Sequence, residues 1–264
     1  MHHPMLPCVL LWHSISFLAA RFLPAAGPTA SRCLPGILLS AAFATSAYGL
    51  RGVTGRGAAA GALVSFILYM GAGRGGFLGL ITVFLIAYVS SRIGYARKHE
   101  LGVAESQRGR GAGQVLANLG VAAACSAMAL VYSASPWLIA AVSALAEAAA
   151  DTASSEWGEA LSARAYLITS LRAAPVGTDG AISGIGSLAG LLAAVLVAGV
   201  CGAGRAIAPG AVVLAVAAAM IGTVADSCLG ATLERRGIMG NNAVNLSGTT
   251  VAATAGYVMA RLYR

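Results

Sequence analysis

Apolar residues occupy most of the chain in long runs that are separated by short polar segments. Nine runs are apolar over most of their length: 5–22, 34–50, 57–72, 76–92, 113–132, 136–150, 182–203, 207–229 and 243–262. A helix needs about 20 apolar residues to cross a bilayer, and about 17–25 are common. We therefore predict an all-α fold, a polytopic transmembrane helical bundle with eight or nine spans.

The first run differs from the others in its surroundings. No charged segment precedes it, although the small residues at 24–27 are compatible with removal of a signal peptide. We expect a helix that is not cleaved. The chain then divides into an N-terminal segment, 1–33, with this candidate first transmembrane helix, and a single multi-span membrane domain, 34–264.

The composition excludes an ordinary soluble protein. The chain is 58% hydrophobic and only 10% charged, whereas about 25% of the residues in a soluble domain are charged. The net charge of +8 is carried by short loops at helix ends, so we expect no nucleic-acid partner. The five cysteines are scattered without a CxxC pair, which argues against a disulfide framework or a zinc site.

Basic residues are unequally shared between the two sets of alternating loops. The loops 51–56, 92–110, 151–181 and 230–242 contain eleven Lys and Arg residues, and the other side contains six. Cytoplasmic loops of membrane proteins carry the excess of positive charge. We therefore predict that these four loops are cytoplasmic, and we expect a multi-pass protein of the bacterial cytoplasmic membrane.

Acidic residues concentrate in the longest polar interruption, 147–186, which holds five of the nine in the chain. Asp151 and Asp226 lie within or beside apolar runs, where an acid is costly and points to function; a carboxylate in water at a helix end is the alternative. Glu147 precedes Asp151 by four residues, so one helical face holds both. We predict that Asp151, Asp226 and Glu147 bind Mg²⁺, with Glu156 as a further candidate acid.

The two aspartates also lie in similar local sequences. Ala150-Asp151-Thr152 and Ala225-Asp226-Ser227 each place an aspartate and a hydroxyl at the same end of a predicted helix. Related half-sites of membrane proteins can face each other across a repeat interface. The similarity is short, and chance in an alanine-rich chain is the alternative.

The acidic stretch ends in a turn of small residues that leads into an apolar helix. Gly177 and Gly180 permit positive φ, and Thr178 and Asp179 suit a helix N-cap. Free N–H groups at a helix N-terminus bind phosphate, so we predict a phosphate-binding turn, with an ordinary capped turn as the alternative. No GxxxxGK[ST] motif occurs, so P-loop chemistry is not supported.

Amides and arginines near the membrane boundary form a further group. Asn118 and Asn245 each lie on a helical face that carries a second amide residue. A buried amide needs partners, which either another helix or a nucleotide can supply. Arg108 or Arg110 could clamp a phosphate, although anchoring of the helix end is the simpler explanation.

Several of these motifs together resemble a known family of integral membrane proteins. The stretches are GQVLAN at 113–118, ADTASSEWG at 150–158, LITSLRAAPVGTDGAISGIGSLAG at 167–190, ADSCLGATLE at 225–234 and NNAVN at 241–245. The family includes animal transmembrane protein 19 and the phytyl-phosphate kinases of plants and cyanobacteria in the vitamin E pathway. The resemblance covers residues from about 34 to 264, and Ala174 and Ala181 depart from the family pattern around the turn.

The resemblance implies a membrane-embedded kinase that converts an isoprenoid monophosphate, of the phytyl or geranylgeranyl type, to the diphosphate. The expected partners are CTP, or another nucleoside triphosphate, and an isoprenoid phosphate lipid, with Mg²⁺ as cofactor. By analogy, the nucleotide and its metal would be held by Asp151, Glu156, Thr178, Asp179 and Asp226. A CTP-dependent lipid cytidylyltransferase and a lipid or small-molecule transporter are the alternatives.

Overall fold

The computed structural model describes residues 29–263, except 107 and 133, and no side chain at 29 or 30. The candidate first helix over 5–22 lies outside these residues. Within them, eight α-helices and one small sheet account for the regular structure, so the predicted helical fold is confirmed.

The helices are α1 (Thr29–Gly49), α2 (Gly55–Ser90), α3 (Tyr95–Glu100), α4 (Ala112–Val131), α5 (Ala134–Leu161), α6 (Gly184–Ala203), α7 (Val212–Leu229) and α8 (Asn241–Leu262). A 3₁₀ turn, Pro209–Ala211, precedes α7, and a π-helical turn, Gly230–Glu234, follows it. Between α5 and α6 the strands β1 (Ala165–Leu167), β2 (Ala173–Ala174) and β3 (Ala181–Ile182) form an antiparallel sheet in the order β2-β1-β3.

Membrane-spanning character is confirmed for part of the bundle. In the part of the chain that the structure describes, four helical segments are long and apolar enough to cross a membrane: Gly55–Ser90, Ala112–Val131, Gly184–Ala203 and Pro209–Glu234. The alanine-rich α5, which carries four acidic residues, is not among them. The total of eight or nine spans stays a prediction.

The longest helix, α2, folds back on itself at Gly73. Gly57 and Tyr88 line the same cavity, whereas a straight helix would separate them by about 46 Å at about 1.5 Å per residue. The backbone of Gly73 has φ 63° and ψ −156°, which is essentially accessible to glycine alone. The predicted runs 57–72 and 76–92 are therefore two antiparallel arms of one element.

Helix α5 lies at the centre of the bundle and packs against α2, α4, α6, α7 and α8. Alanines fill most of its buried middle, including positions 140, 141, 144, 146 and 148–150. Small side chains let neighbouring backbones approach closely; a Cβ atom at Gly190 of α6 would lie 2.9 Å from the carbonyl oxygen of Ala150. Because α5 is central, its acidic residues are carried into the interior.

The polar loops meet at one end of the bundle. Val53 pairs with Arg110 in an isolated β-bridge, and the Arg97 guanidinium donates to the carbonyl oxygens of Ala160 and Ser162. Gly180 lies against the backbone of Ala231. These contacts join the loops that the charge pattern grouped on one side; their assignment to the cytoplasm stays a prediction.

Candidate functional site

A polar cavity of about 270 Å³ opens between the C-terminal ends of α5 and α7 and the turn before α6. We call it the acidic cavity, because its lining includes Asp151, Glu159, Asp179, Asp226 and Glu234. The sequence places these residues in three separate segments: α5, the turn before α6, and α7 with the π-helical turn that follows it. The fold brings them together around one cavity.

Asp151 and Asp226 face each other across the acidic cavity. Their side chains lie close enough to interact directly, and the Oδ2 atom of Asp226 is buried without a partner among the described residues. Two carboxylates at this separation repel each other unless a proton or a cation lies between them. Two oxygen ligands from different helices, one of them unpartnered, therefore fit a Mg²⁺ ion whose shell is completed by water and phosphate.

Glu147 lies one helical turn deeper than Asp151. Its side chain is buried, with only 1% of its surface exposed, and its Oε1 atom has no partner among the described residues. It does not line the acidic cavity. In the described part of the chain no three His, Cys, Asp or Glu side chains are grouped to hold a metal ion. The predicted three-carboxylate site is therefore not preformed, and Asp151 with Asp226 is the pair that fits.

Two glycines make room for these acids and were not identified from the sequence. A Cβ atom at Gly248 of α8 would lie 2.6 Å from Oε1 of Glu147 and 3.0 Å from Oδ2 of Asp226. At Gly222 of α7 it would lie 2.8 Å from Cγ of Glu147. Any side chain at either position would enter the space that the carboxylates occupy. This role of the two glycines depends on the packing of α5, α7 and α8, which the sequence does not show.

The turn before α6 lines the acidic cavity from Gly177 to Gly180. The Thr178 hydroxyl donates to the carbonyl oxygen of Pro175 at 2.8 Å, so it closes the turn. Gly177 and Gly180 have φ of 86° and 68°, as predicted for glycines at positive φ.

The predicted helix cap at Thr178 and Asp179 is wrong. Ser183 caps α6 and accepts a hydrogen bond from the Gly186 N–H at 3.1 Å. The reason is that Ala181 and Ile182 pair with β1, which delays the helix by several residues. The turn therefore borders the cavity without forming the N-terminus of a helix.

Gly180 is the position in the turn where an added side chain would clash most severely with its neighbours. It has positive φ, and a Cβ atom there would collide with the backbone of Ser227 and Ala231. We expect Gly180→Ala to destabilise the protein by about 1–3 kcal/mol, because the turn must move away from α7. Thermal unfolding in detergent measures the loss.

Gly184→Ala is the matched control for this prediction. It lies four residues along the chain in α6, and a Cβ atom there has no described neighbour within 4 Å. Alanine is a better helix former than glycine, so we expect no loss of stability. Equal effects of the two alanines would contradict the contact between the turn and α7.

Glu156, predicted as a catalytic acid, lies outside the acidic cavity. Its carboxylate forms an ion pair with Lys98, whose side chain is fully buried. The Lys98 ammonium also donates to the carbonyl oxygens of Ser90 at 3.0 Å and Ser91 at 3.1 Å. The ion pair between Glu156 and Lys98 therefore links α3 and the end of α2 to α5.

Of the two candidate arginines, Arg110 is the one that faces the interior. Arg108 is exposed and does not line the acidic cavity. The Nε atom of Arg110 lies 3.5 Å from Oε2 of Glu105, and its positive charge acts on Asp151. The sequence alone could not separate the two, because they are two residues apart in one loop.

Asn118 and Asn245 contact each other and join α4 to α8. The Asn245 amide donates to Oδ1 of Asn118 at 3.3 Å, and the Asn118 amide donates to the carbonyl oxygen of Gln114 at 2.9 Å. The Oδ1 atom of Asn245 is buried without a partner among the described residues. The pair thus links two helices and leaves one acceptor open; its role in nucleotide binding stays a prediction.

The fold and the site together define an integral membrane protein with a buried acid pair beneath its polar loops. The chain belongs to the family described as integral membrane protein DUF92, which matches residues 38–254. This confirms the membrane family that the sequence motifs indicated.

Three relatives extend across most of the chain. An uncharacterized membrane protein of Methanocaldococcus jannaschii is 32% identical over 231 residues, covering 88% of this chain and 95% of the relative. An uncharacterized membrane protein of Synechocystis is 31% identical over 179 residues, covering 66% and 69%. Protein VTE6, chloroplastic, of Arabidopsis thaliana is 29% identical over 218 residues, covering 79% and 65%. No solved structure matches the chain.

Proposed function

We propose that the protein is a membrane-embedded phosphotransferase that converts an isoprenoid monophosphate to the diphosphate, with CTP as the donor and Mg²⁺ as cofactor. The observation that carries this proposal is the facing pair Asp151 and Asp226 beside the Gly177–Gly180 turn. The resemblance of the surrounding motifs to the phytyl-phosphate kinases supplies the reaction.

The transfer places few chemical demands on the protein. Catalysis of phosphoryl transfer depends mainly on positioning and on neutralising charge. An oxygen of the acceptor phosphate forms a bond to the γ-phosphorus of CTP, the bond from that phosphorus to its bridging oxygen breaks, and CDP leaves. The attacking oxygen is already anionic near neutral pH, so no strong base is required. This agrees with a cavity that no histidine lines among the described residues.

The charge of the acidic cavity makes a divalent cation necessary for this reaction. Five carboxyl groups line it, and they would repel the phosphates of a free nucleotide. Asp151 and Asp226 would hold Mg²⁺, which would neutralise the charge of the donor phosphates. The glycines of the turn allow phosphates to approach the backbone closely.

The test is a transfer assay on purified protein in detergent. Geranylgeranyl monophosphate is supplied with γ-labelled CTP or ATP, in the presence of Mg²⁺ or EDTA. We expect label in a lipid diphosphate with CTP and Mg²⁺, and none with EDTA. Release of pyrophosphate and formation of a CDP-lipid would establish the cytidylyltransferase instead. A folded protein that binds no nucleotide would overturn the proposal and favour a transporter.

A further inference from the structure

A second cavity of about 370 Å³ lies between α1, the two arms of α2, and α4. We call it the apolar chamber, because its interior is lined mainly by hydrophobic side chains, including Phe43, Leu80, Val83, Phe84 and Leu119. Its volume is within the range of small-molecule sites, about 300–1,000 Å³. Neither the acid pair nor the Gly177–Gly180 turn accounts for it.

The mouth of the apolar chamber is basic. Arg51, Arg92 and Arg110 all line it, at the end of the bundle where the polar loops meet. The Arg92 guanidinium stacks on the Tyr88 ring, 3.4 Å from its centroid, and donates to the Tyr88 carbonyl oxygen at 2.8 Å. Among the described residues neither Arg51 nor Arg92 forms an ion pair, so two guanidinium groups keep their charge free for an anion.

The backbone at the mouth is also unusual. Arg51 has φ 57°, a left-handed conformation that is uncommon for residues other than glycine. Such strained positions concentrate at functional sites. The adjacent Gly52 packs against Phe84, because a Cβ atom there would lie 2.7 Å from that ring. The tight turn therefore presents Arg51 directly above the apolar interior.

The chamber shares a wall with the acid pair. Ala148 lines the chamber from α5, and it lies between Glu147 and Asp151 in sequence. Asn118 lines the chamber as well, and Arg110 at the mouth acts electrostatically on Asp151. Ala148 and Asp151 are three residues apart and so lie on one face of α5, and a group bound at the mouth would therefore lie beside the acidic cavity.

We propose that the apolar chamber binds the acceptor lipid, with its isoprenoid chain in the interior and its monophosphate at Arg51, Arg92 and Arg110. The chemistry of the chamber favours one kind of ligand. Its apolar interior complements a hydrocarbon chain, and the arginines at its mouth complement an anionic head group. A nucleotide would leave the hydrophobic lining unused. The assignment of this lipid as the acceptor rests on the proposed function, whereas its binding in the chamber does not.

Gly61 offers a way to fill the chamber. It lines the cavity, and a Cβ atom there has no described neighbour within 4 Å, so Gly61→Leu places a side chain in open space. We expect the KM for geranylgeranyl monophosphate to rise at least tenfold, with the KM for CTP unchanged. Gly120→Leu in α4 is the control, since its Cβ position is equally open and it lines neither cavity.

Arg51→Asn tests the basic mouth. Asparagine tolerates the left-handed conformation, so the change removes the charge and keeps the backbone. Arg205→Asn is the matched control, because Arg205 also has positive φ, at 63°, and lies beside Ala206 in the packing against Gly75, away from the mouth. We expect the acceptor KM to rise about tenfold in the first variant and to stay unchanged in the second.

A binding experiment without turnover separates this inference from the proposed function. A diazirine-bearing farnesyl monophosphate is photoactivated on the protein in detergent, and the labelled peptides are mapped by mass spectrometry. We expect label on α1, α2 and α4, reduced by Gly61→Leu and by excess geranylgeranyl monophosphate. This result would support the chamber even if no phosphate is transferred.

Two results would overturn the inference. If phosphate transfer occurs but label falls outside the chamber and Gly61→Leu leaves the acceptor KM unchanged, the kinase stands and its acceptor binds elsewhere. If dioleoyl phosphatidic acid displaces the label as well as geranylgeranyl monophosphate does, the chamber holds a membrane phospholipid.

Discussion

Asp226→Asn is expected to lower the rate of phosphate transfer by about 100- to 1,000-fold. A bound metal ion supplies several kcal/mol of charge stabilisation in the transition state, and each 1.36 kcal/mol is about a factor of ten in rate. Asparagine fills the same space against Gly248 but removes one of the two anionic ligands. The kcat with CTP and geranylgeranyl monophosphate, measured across a Mg²⁺ titration, should fall, and the concentration of Mg²⁺ required should rise.

Stability and a second variant serve as controls for that result. Asp226→Asn removes the charge repulsion within the facing pair of carboxyl groups, so the melting temperature without Mg²⁺ should not fall. Glu159→Gln makes the same change of charge in the same cavity, outside the facing pair, and we expect a loss of less than about tenfold. If Asp226→Asn keeps full activity and an unchanged Mg²⁺ requirement, the metal assignment to Asp151 and Asp226 is wrong.

Much of the helical framework was predictable, because lipid-facing and buried helices both require apolar residues. The predicted runs 113–132 and 182–203 correspond to α4 (Ala112–Val131) and α6 (Gly184–Ala203) within two residues. The predicted run 136–150 captured only the first part of α5, which extends from Ala134 to Leu161. The second part of α5 was predicted to belong to a loop because it carries acids and serines. These side chains face the acidic cavity and Lys98, so polar residues are compatible with a helix there.

The interaction between Asp151 and Asp226 was also partly predictable from the sequence. The similar segments around Asp151 and Asp226 indicated that the two aspartates could face each other, and their side chains interact across the acidic cavity. The predicted position of Asp151 at a helix end is wrong, because α5 continues from Ala134 to Leu161. In contrast, nothing in the sequence paired Glu156 with Lys98, which is 58 residues away. The space that Gly222 and Gly248 leave for the acids could not be predicted from the sequence either, because it depends on how α7 and α8 pack against α5.

Lys98→Met is expected to destabilise the protein by about 3–5 kcal/mol, the usual cost of leaving one partner of a buried ion pair alone. The carboxylate of Glu156 would remain buried, and the carbonyl oxygens of Ser90 and Ser91 would lose their donor. Unfolding by denaturant or heat in detergent measures the loss. Arg97→Met is the matched control, since the Arg97 guanidinium donates to the carbonyl oxygens of Ala160 and Ser162 and forms no ion pair among the described residues, and we expect a smaller effect.

The double variant Lys98→Met/Glu156→Leu decides between a structural and a catalytic role for Glu156. A buried ion pair replaced by apolar groups of similar volume often retains or gains stability, so the double variant should recover most of the loss. If Glu156 only fastens α3 to α5, the recovered protein should also transfer phosphate at close to the original rate. A double variant that is stable but has lost more than about a hundredfold in kcat would instead support the catalytic role that the sequence motif predicted.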